Sequence, residues 1–201
     1  MKTMLRIGPR DHGQPITDEE LSQAEFASGY KYELIDGRLY VTSAPDLPAD
    51  WIEKWLYIKV WLYSQACPGI INYLTNKARI FVPGRHRSTI PEPDLAAYSD
   101  FPVHLPLSQI RWQETSPFLV GEVLSADDPD KDLVRNVALF LRVPSIKEYW
   151  ILDPRDDPDR PAMLVYRRRG QRWQNVIELA FGETYTTRLL PGFELLLDPH
   201  R

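Results

Sequence analysis

The segment Phe118-Leu119-Val120-Gly121-Glu122-Val123-Leu124 constrains the fold more than any other stretch of the chain. It is a nearly continuous apolar run, the pattern of a strand buried on both faces, so layers are needed above and below it. One acid, Glu122, stands inside that run. A buried ionised carboxylate is costly unless it is paired or bound to a metal.

The rest of the chain supplies the layers. Thr17-Asp18-Glu19-Glu20 reads as a capping box opening a short helix that runs to about Ala27. Tyr32–Ile35 and Arg38–Val41 are β-prone runs about Asp36-Gly37, a strong hairpin signal. The pattern predicts a helix over Asp50–Ala66, with Asp50 as N-cap, Pro68-Gly69 as stop, and Trp51, Trp55, Ile58 and Leu62 as its apolar stripe. Strands are expected at Ile70–Leu74, Ala78–Val82, Leu95–Tyr98, Tyr149–Leu152, Met163–Arg167 and Arg172–Glu178, and the β-prone tail 184–197 turns at Pro191-Gly192. A second helix is expected over Pro129–Arg142, with Asp128 as N-cap and Leu133, Val137, Phe140 and Leu141 as its apolar face. Together these elements make an α/β (α+β) domain: a mixed sheet, helices against it, and a β-rich C-terminal third.

With 201 residues, 43% of them hydrophobic, the chain suits one domain over 1–201. The formal net charge of −4 argues against a broad basic face coating DNA, yet leaves room for acidic metal ligands with a few local arginines. A lone cysteine, Cys67, excludes an internal disulfide and a cysteine-based zinc site. Apolar runs fall short of the roughly 20 residues of a membrane span, and Met1–Arg10 lacks the apolar stretch of a signal peptide. The expectation is a soluble, cytoplasmic protein without membrane contact.

Two more acids stand where acids are unexpected. Asp94 closes Ile90-Pro91-Glu92-Pro93-Asp94, where two prolines restrain the approach to an apolar strand. Glu33 stands between Tyr32 and Leu34 before the hairpin turn. Mg²⁺ and Mn²⁺ prefer such oxygen ligands. Each acid also has a structural alternative: a solvated strand face for Glu33, a turn for Asp94, a core arginine for Glu122.

The motifs Tyr32-Glu33-Leu34-Ile35-Asp36-Gly37-Arg38-Leu39, Pro93-Asp94-Leu95-Ala96, Glu122-Val123-Leu124-Ser125, Glu148–Pro154 and Leu190–Leu195 keep the order seen in one bacterial family. The chain resembles the family labelled "putative restriction endonuclease", within the PD-(D/E)xK nuclease superfamily. The resemblance implies a restriction-endonuclease-like core over 17–198, with 1–16 as an N-terminal extension. It implies Asp94, Glu122 and Glu33 as ligands of Mg²⁺ or Mn²⁺, and hydrolysis of DNA phosphodiester bonds. The superfamily's lysine two residues after the second acid is replaced by Leu124, and the helical position that supplies a lysine in many members is Asn136 here. Lys131 is the candidate substitute. On a helix of 3.6 residues per turn neither Lys131 nor Arg135 projects in the direction of Asn136.

Other residues carry weaker expectations. Ser125 caps a turn or meets a phosphate. Arg85-His86-Arg87 is a surface turn or a contact to the DNA backbone. Arg167, Arg168, Arg169 and Arg172 form a hairpin tip, Trp150 is core, and Trp61 faces a partner, with a homodimer in view. Three functions stay open: a Mg²⁺-dependent endonuclease, a nuclease-fold module that binds nucleic acid or a protein without catalysis, and a hydrolase of another phosphoester.

Overall fold

The structure is a computed structural model that describes residues 5–125 and 128–201. Strand β1 (Arg6–Ile7) runs parallel to β2 (Glu25–Phe26), with helix α1 (Asp18–Gln23) between them. The capping box is made: Thr17 Oγ1 accepts from the Glu20 amide at 3.1 Å, and Glu20 accepts from the Thr17 amide at 2.9 Å. The helix is shorter than expected, because Glu25 and Phe26 pair with β1 instead of continuing it.

Strands β3 (Tyr30–Ile35) and β4 (Arg38–Ser43) form the expected hairpin. Asp36 and Gly37 carry φ of 51° and 72°, the positive values that a two-residue turn matched to strand twist requires. Tyr32 and Leu34 face a small cluster with Ile7, Leu21, Leu39 and Ile90, so the alternate residues Lys31 and Glu33 point the other way.

Helix α2 (Leu47–Ala66) begins one turn before the expected start. Asp46, not Asp50, is its cap, accepting from the Ala49 amide at 3.0 Å. The expected stripe also shifts. Ala49, Ile52, Trp55, Leu56 and Val60 are buried, whereas Trp51, Ile58, Trp61 and Leu62 are more than two-fifths exposed. Of the proposed stripe only Trp55 belongs to the core. Trp51, Ile58 and Leu62 lie within about 60° of Trp55 around the helix, on the side turned away from the buried Ala49, Leu56 and Val60, and the spacing alone does not say which face meets the sheet.

The central sheet contains β5 (Tyr73–Thr75), β6 (Leu95–Tyr98), β7 (Leu119–Val123), β8 (Glu148–Asp153) and β9 (Ala162–Arg169), in the order β5-β6-β7-β8-β9. Only β7 and β8 are parallel, so the sheet is mixed. On its outer edge β9 pairs with two short strands, β10 (Arg172–Trp173) and β11 (Ile177–Leu179), where one strand over Arg172–Glu178 was expected. Ala78–Val82 forms no ladder. It is linked to the facing segment by two bonds, from Ile80 to Pro91 and from Val82 to Thr89, because Pro91 and Pro93 offer no amide to continue the pairing. A separate hairpin of β12 (Thr184–Thr186) and β13 (Glu194–Leu196) completes the β-rich C-terminal third.

Both faces of the sheet are covered, as the apolar run of β7 requires. Helix α2 and the C-terminal hairpin pack on Leu95, Leu119, Val123, Trp150 and Leu152. Gly121 lets α2 approach: a Cβ there would lie 3.3 Å from Leu56 Cδ2. The opposite face, with Ala96, Tyr98, Val120, Tyr149 and Ile151, packs on Leu139 and Phe140. Those residues belong to the second helix, whose first part, Lys131–Asn136, is π-helical and whose second part is α3 (Val137–Leu141).

A candidate metal centre at the end of the sheet

The β6–β7 register pairs Leu95 with Gly121, and one step further it sets Asp94 opposite Glu122. The pair is cross-bonded. The Val123 amide donates to Asp94 Oδ2 at 2.8 Å, and the Asp94 amide lies 3.4 Å from Glu122 Oε2. Both side chains are buried, Glu122 completely.

The π-helical turn brings cations and an amide to this pair. Asn136 Nδ2 donates to Glu122 Oε1 at 3.0 Å and to Asp132 Oδ1 at 2.9 Å. Lys131 Nζ lies 3.1 Å from Asp132 and 4.0 Å from Glu122 Oε2. This corrects the expected projection. A π-helix bonds five residues along instead of four, so residues 131 and 136 share a face. Arg135, also set aside on helical geometry, donates to Glu33 Oε2 at 2.6 Å and to Asn136 Oδ1 at 3.1 Å, and its guanidinium lies 4.6 Å over the Tyr40 ring.

Glu33 reaches the same region from β3. Its Oε1 accepts from the Glu92 amide at 3.1 Å, so both oxygens are engaged. Lys31, two residues before it and on the same face, makes a close ion pair with Asp94 Oδ1 and lies 3.5 Å from Glu53 Oε1 on α2. Lys31, Glu53, Asp94, Tyr40, Asp128, Lys131 and Asp132 line a cleft of about 610 Å³.

Electrostatics separates the two central acids. Burial pushes Glu122 well above the usual carboxylate range, with Asp132 and Asp94 adding to the rise and Lys131 opposing it. Burial acts on Asp94 too, but the ammonium groups of Lys31 and Lys131 overcome it and hold its carboxyl below the ordinary value. Burial raises Asp132 to about 6 and Glu53 to about 7. Lys131 is pushed upward despite its burial, because Glu122, Glu33, Asp132 and Asp94 all surround it. The three acids singled out in the sequence therefore act on one ammonium group.

Among the described residues no three His, Cys, Asp or Glu side chains are gathered closely enough to cage an ion. The donor chemistry still suits a hard cation. Mg²⁺ is commonly bound by one or two carboxylates together with substrate phosphates, and Asp94 Oδ1 already carries a positive group, Lys31 Nζ.

The remaining arginines sit elsewhere. Arg85 pairs with Asp36, and Arg87 packs over Gly37 at the hairpin turn. Arg168 is bound to carbonyls at and just beyond the end of α3, donating to Phe140, Leu141 and Val143 at 2.8–2.9 Å. Ser125 lines the cleft.

The family described as "Putative restriction endonuclease" (Uma2) matches residues 18–198. The chain belongs to this family. A solved structure described as a "putative nuclease", from Anabaena variabilis, superimposes on this chain with a TM-score of 0.69 at 18% identity, covering 92% of this chain and 96% of that one. At that identity the likeness establishes the fold, a restriction-endonuclease-like mixed sheet flanked by helices. No curated protein matches this chain.

Lys31, Glu53, Asp132 and Arg135 were not foreseen as site residues. Lys31 had a signal, since residues two apart on a strand share a face and Glu33 was already singled out. Asp132 and Arg135 had none, because they depend on the π winding. Among the described residues no helix is long and apolar enough to cross a membrane.

Proposed function

We propose that the chain is a divalent-metal-dependent endonuclease that hydrolyses phosphodiester bonds of DNA, with Asp94 and Glu122 holding Mg²⁺ or Mn²⁺. The observation that carries the reading is the buried Asp94–Glu122 pair, opposed across two strands at the edge of a cleft and faced by Lys131. An ion held there polarises a phosphoryl oxygen and lowers the pKa of a bound water. Lys131 offsets charge on the scissile phosphate, in place of the lysine that Leu124 displaces. Glu33, the third acid, holds Arg135 beside the cleft. One nitrogen of that guanidinium, Nη1, is buried and has no hydrogen-bond partner among the described residues.

A second reading has its own support. Asp94, Glu122 and Glu33 are satisfied from within by Lys31, Lys131, Asn136 and Arg135, as they would be in a nuclease-fold module that binds without cutting.

Cleavage assays with Mn²⁺ or Mg²⁺ on single- and double-stranded DNA and on RNA decide between them. Cleavage of DNA by the wild type, lost in Asp94→Ala, is the expected result. Intact nucleic acid at high protein concentration with either ion would overturn the nuclease reading. We also propose a homodimer over the exposed α2 residues Trp51, Ile58, Trp61 and Leu62, since a contiguous apolar face of this kind marks an interaction surface.

A further inference from the structure

Lys31 has no role in the nuclease reading above, yet it is ion-paired with Asp94 Oδ1. Of the two Asp94 oxygens, Oδ2 is committed to the Val123 amide, which leaves Oδ1 as the freer ligand atom, and Lys31 Nζ occupies it. An ammonium and a divalent ion on one oxygen repel each other strongly. Binding of an ion at Asp94 Oδ1 therefore works against the present position of Lys31.

The structure provides somewhere for it to go. Glu53 Oε1 lies 3.5 Å from Lys31 Nζ, on the buried side of α2, and among the described residues Lys31 is the only cation paired with it. Glu53 lines the same cleft as Asp94 and bonds to no amide or hydroxyl among the described residues. A lysine stem is flexible, and its ammonium is a compact charge that can exchange partners by rotation alone.

We propose that Lys31 is a positioning residue of the metal site, a resident counter-cation that holds Asp94 in the metal-free protein and transfers to Glu53 when a divalent ion takes Oδ1. The inference rests on the metal site proposed above. It makes metal binding an exchange of cations, in which Lys31 competes with the ion for Asp94 and Glu53 favours the ion by receiving what it displaces.

Calorimetric titration of Mn²⁺ into the full chain tests this, with Lys31→Met, Glu53→Gln and the double variant beside the wild type. Lys31→Met removes the competitor and is expected to bind Mn²⁺ about tenfold more tightly, a normal size for coupling between sites. Glu53→Gln is expected to bind about fivefold more weakly, and that loss disappears in the Lys31→Met background because Glu53 acts through Lys31. Lys31→Met binding no tighter than wild type overturns the exchange and leaves the metal site standing. A Glu53→Gln loss that persists without Lys31 shows Glu53 acting directly on the ion and also overturns it. If Lys31→Met does not fold, an unchanged affinity in Glu53→Gln is sufficient to reject the exchange. A wild type that binds no Mn²⁺ rejects the metal site itself.

Discussion

Asn136 and Lys131, five residues apart, address the same carboxylate: the amide of Asn136 is 3.0 Å from Glu122 Oε1, and the ammonium of Lys131 is 4.0 Å from Oε2. On an α-helix five residues turn roughly 140° beyond a full circle, which would put the two on different faces. The π winding of Lys131–Asn136 closes that angle. Its consequence is that Asn136, where related chains are expected to carry a lysine, binds two acids at once through Nδ2. Asn136→Ala leaves both Glu122 and Asp132 short of a buried donor. It is expected to destabilise the chain by about 2–3 kcal/mol in urea unfolding, the range for hydrogen bonds to charged groups. A loss within error would show that the π turn does not depend on this residue.

Asp94 and Glu122 are predicted to respond to neutralisation in opposite ways. Asp94 is held ionised by Lys31 and Lys131, so Asp94→Asn takes a carboxylate from two ammonium groups, leaving Lys31 with Glu53 and Lys131 with Asp132 and Glu122, and lowers Tm in chelator. Glu122 is pushed toward its protonated form, which glutamine imitates, so Glu122→Gln leaves Tm in chelator unchanged or higher. Both lose the rise in Tm that Mn²⁺ gives the wild type. Differential scanning fluorimetry with and without Mn²⁺ reads all four conditions, and equal destabilisation by the two variants would contradict the assignment.

Stability of the metal-free chain is expected to fall as pH rises through the weakly acid range. Asp132 moves from 3.8 to about 6 and Glu53 from 4.5 to about 7 on folding, both through burial, and Glu122 moves further in the same direction. The folded chain then binds more protons than the unfolded chain across this interval, and stability declines until the folded values are passed. Asp94, shifted downward, works in the opposite sense only below its ordinary 3.8. Melting curves in chelator between pH 4.5 and 7 should show the decline, with a shallower slope in Glu53→Gln. A Tm that rises across that interval in wild type would refute it.

The exposed face of α2 gives a prediction about assembly. Ile58→Glu combined with Trp61→Glu places two charges where the homodimer reading puts apolar contact. Light scattering should show a dimer for wild type and a monomer for the double variant at the same concentration, both retaining their Tm because neither residue is in the core. A monomeric wild type would end the homodimer reading.

The pattern of the chain revealed strands more faithfully than faces. The apolar run about Glu122 appeared as β7, fully buried, and Leu95–Tyr98 matched β6 residue for residue, because burial on both sides leaves little choice of side chain. Asp36-Gly37 announced its turn through the positive φ it demands. The α2 stripe was misread because Trp51, Ile58 and Leu62 share a helical spacing with no reference to the sheet, and local sequence does not carry that reference. Ala78–Val82 looked like a strand until its partners proved to be Thr89 and Pro91, in a segment where Pro91 and Pro93 lack the amides a ladder needs. The acids could be picked out because a carboxylate in an apolar strand is anomalous. Lys31, Arg135 and Asp132 are ordinary surface residue types, brought inside by a hairpin face and a π turn.

Arg168 separates a structural arginine from a nucleic-acid contact. It sits near the β9–β10 turn, where a basic hairpin tip suggests phosphate binding, yet its guanidinium donates to the carbonyls of Phe140, Leu141, Val143 and Ile146 and lies 5.1 Å from the Trp173 ring. Phe140 and Leu141 close α3 and Val143 and Ile146 follow it; the Phe140 and Val143 carbonyls also accept from the Val143 and Ile146 amides, so the guanidinium adds charge-assisted bonds that tie the helix end to the segment after it. Arg168→Ala is expected to cost about 3 kcal/mol, since several charge-assisted bonds fail together. Arg168→Lys recovers only part of this, because a single ammonium lacks the planar fork that reaches several carbonyls at once. DNA binding, measured against salt, should keep the same slope in Arg168→Ala, since a phosphate contact would lower it by about one unit. A lowered slope with unchanged stability would place Arg168 on the nucleic acid instead of on the helix.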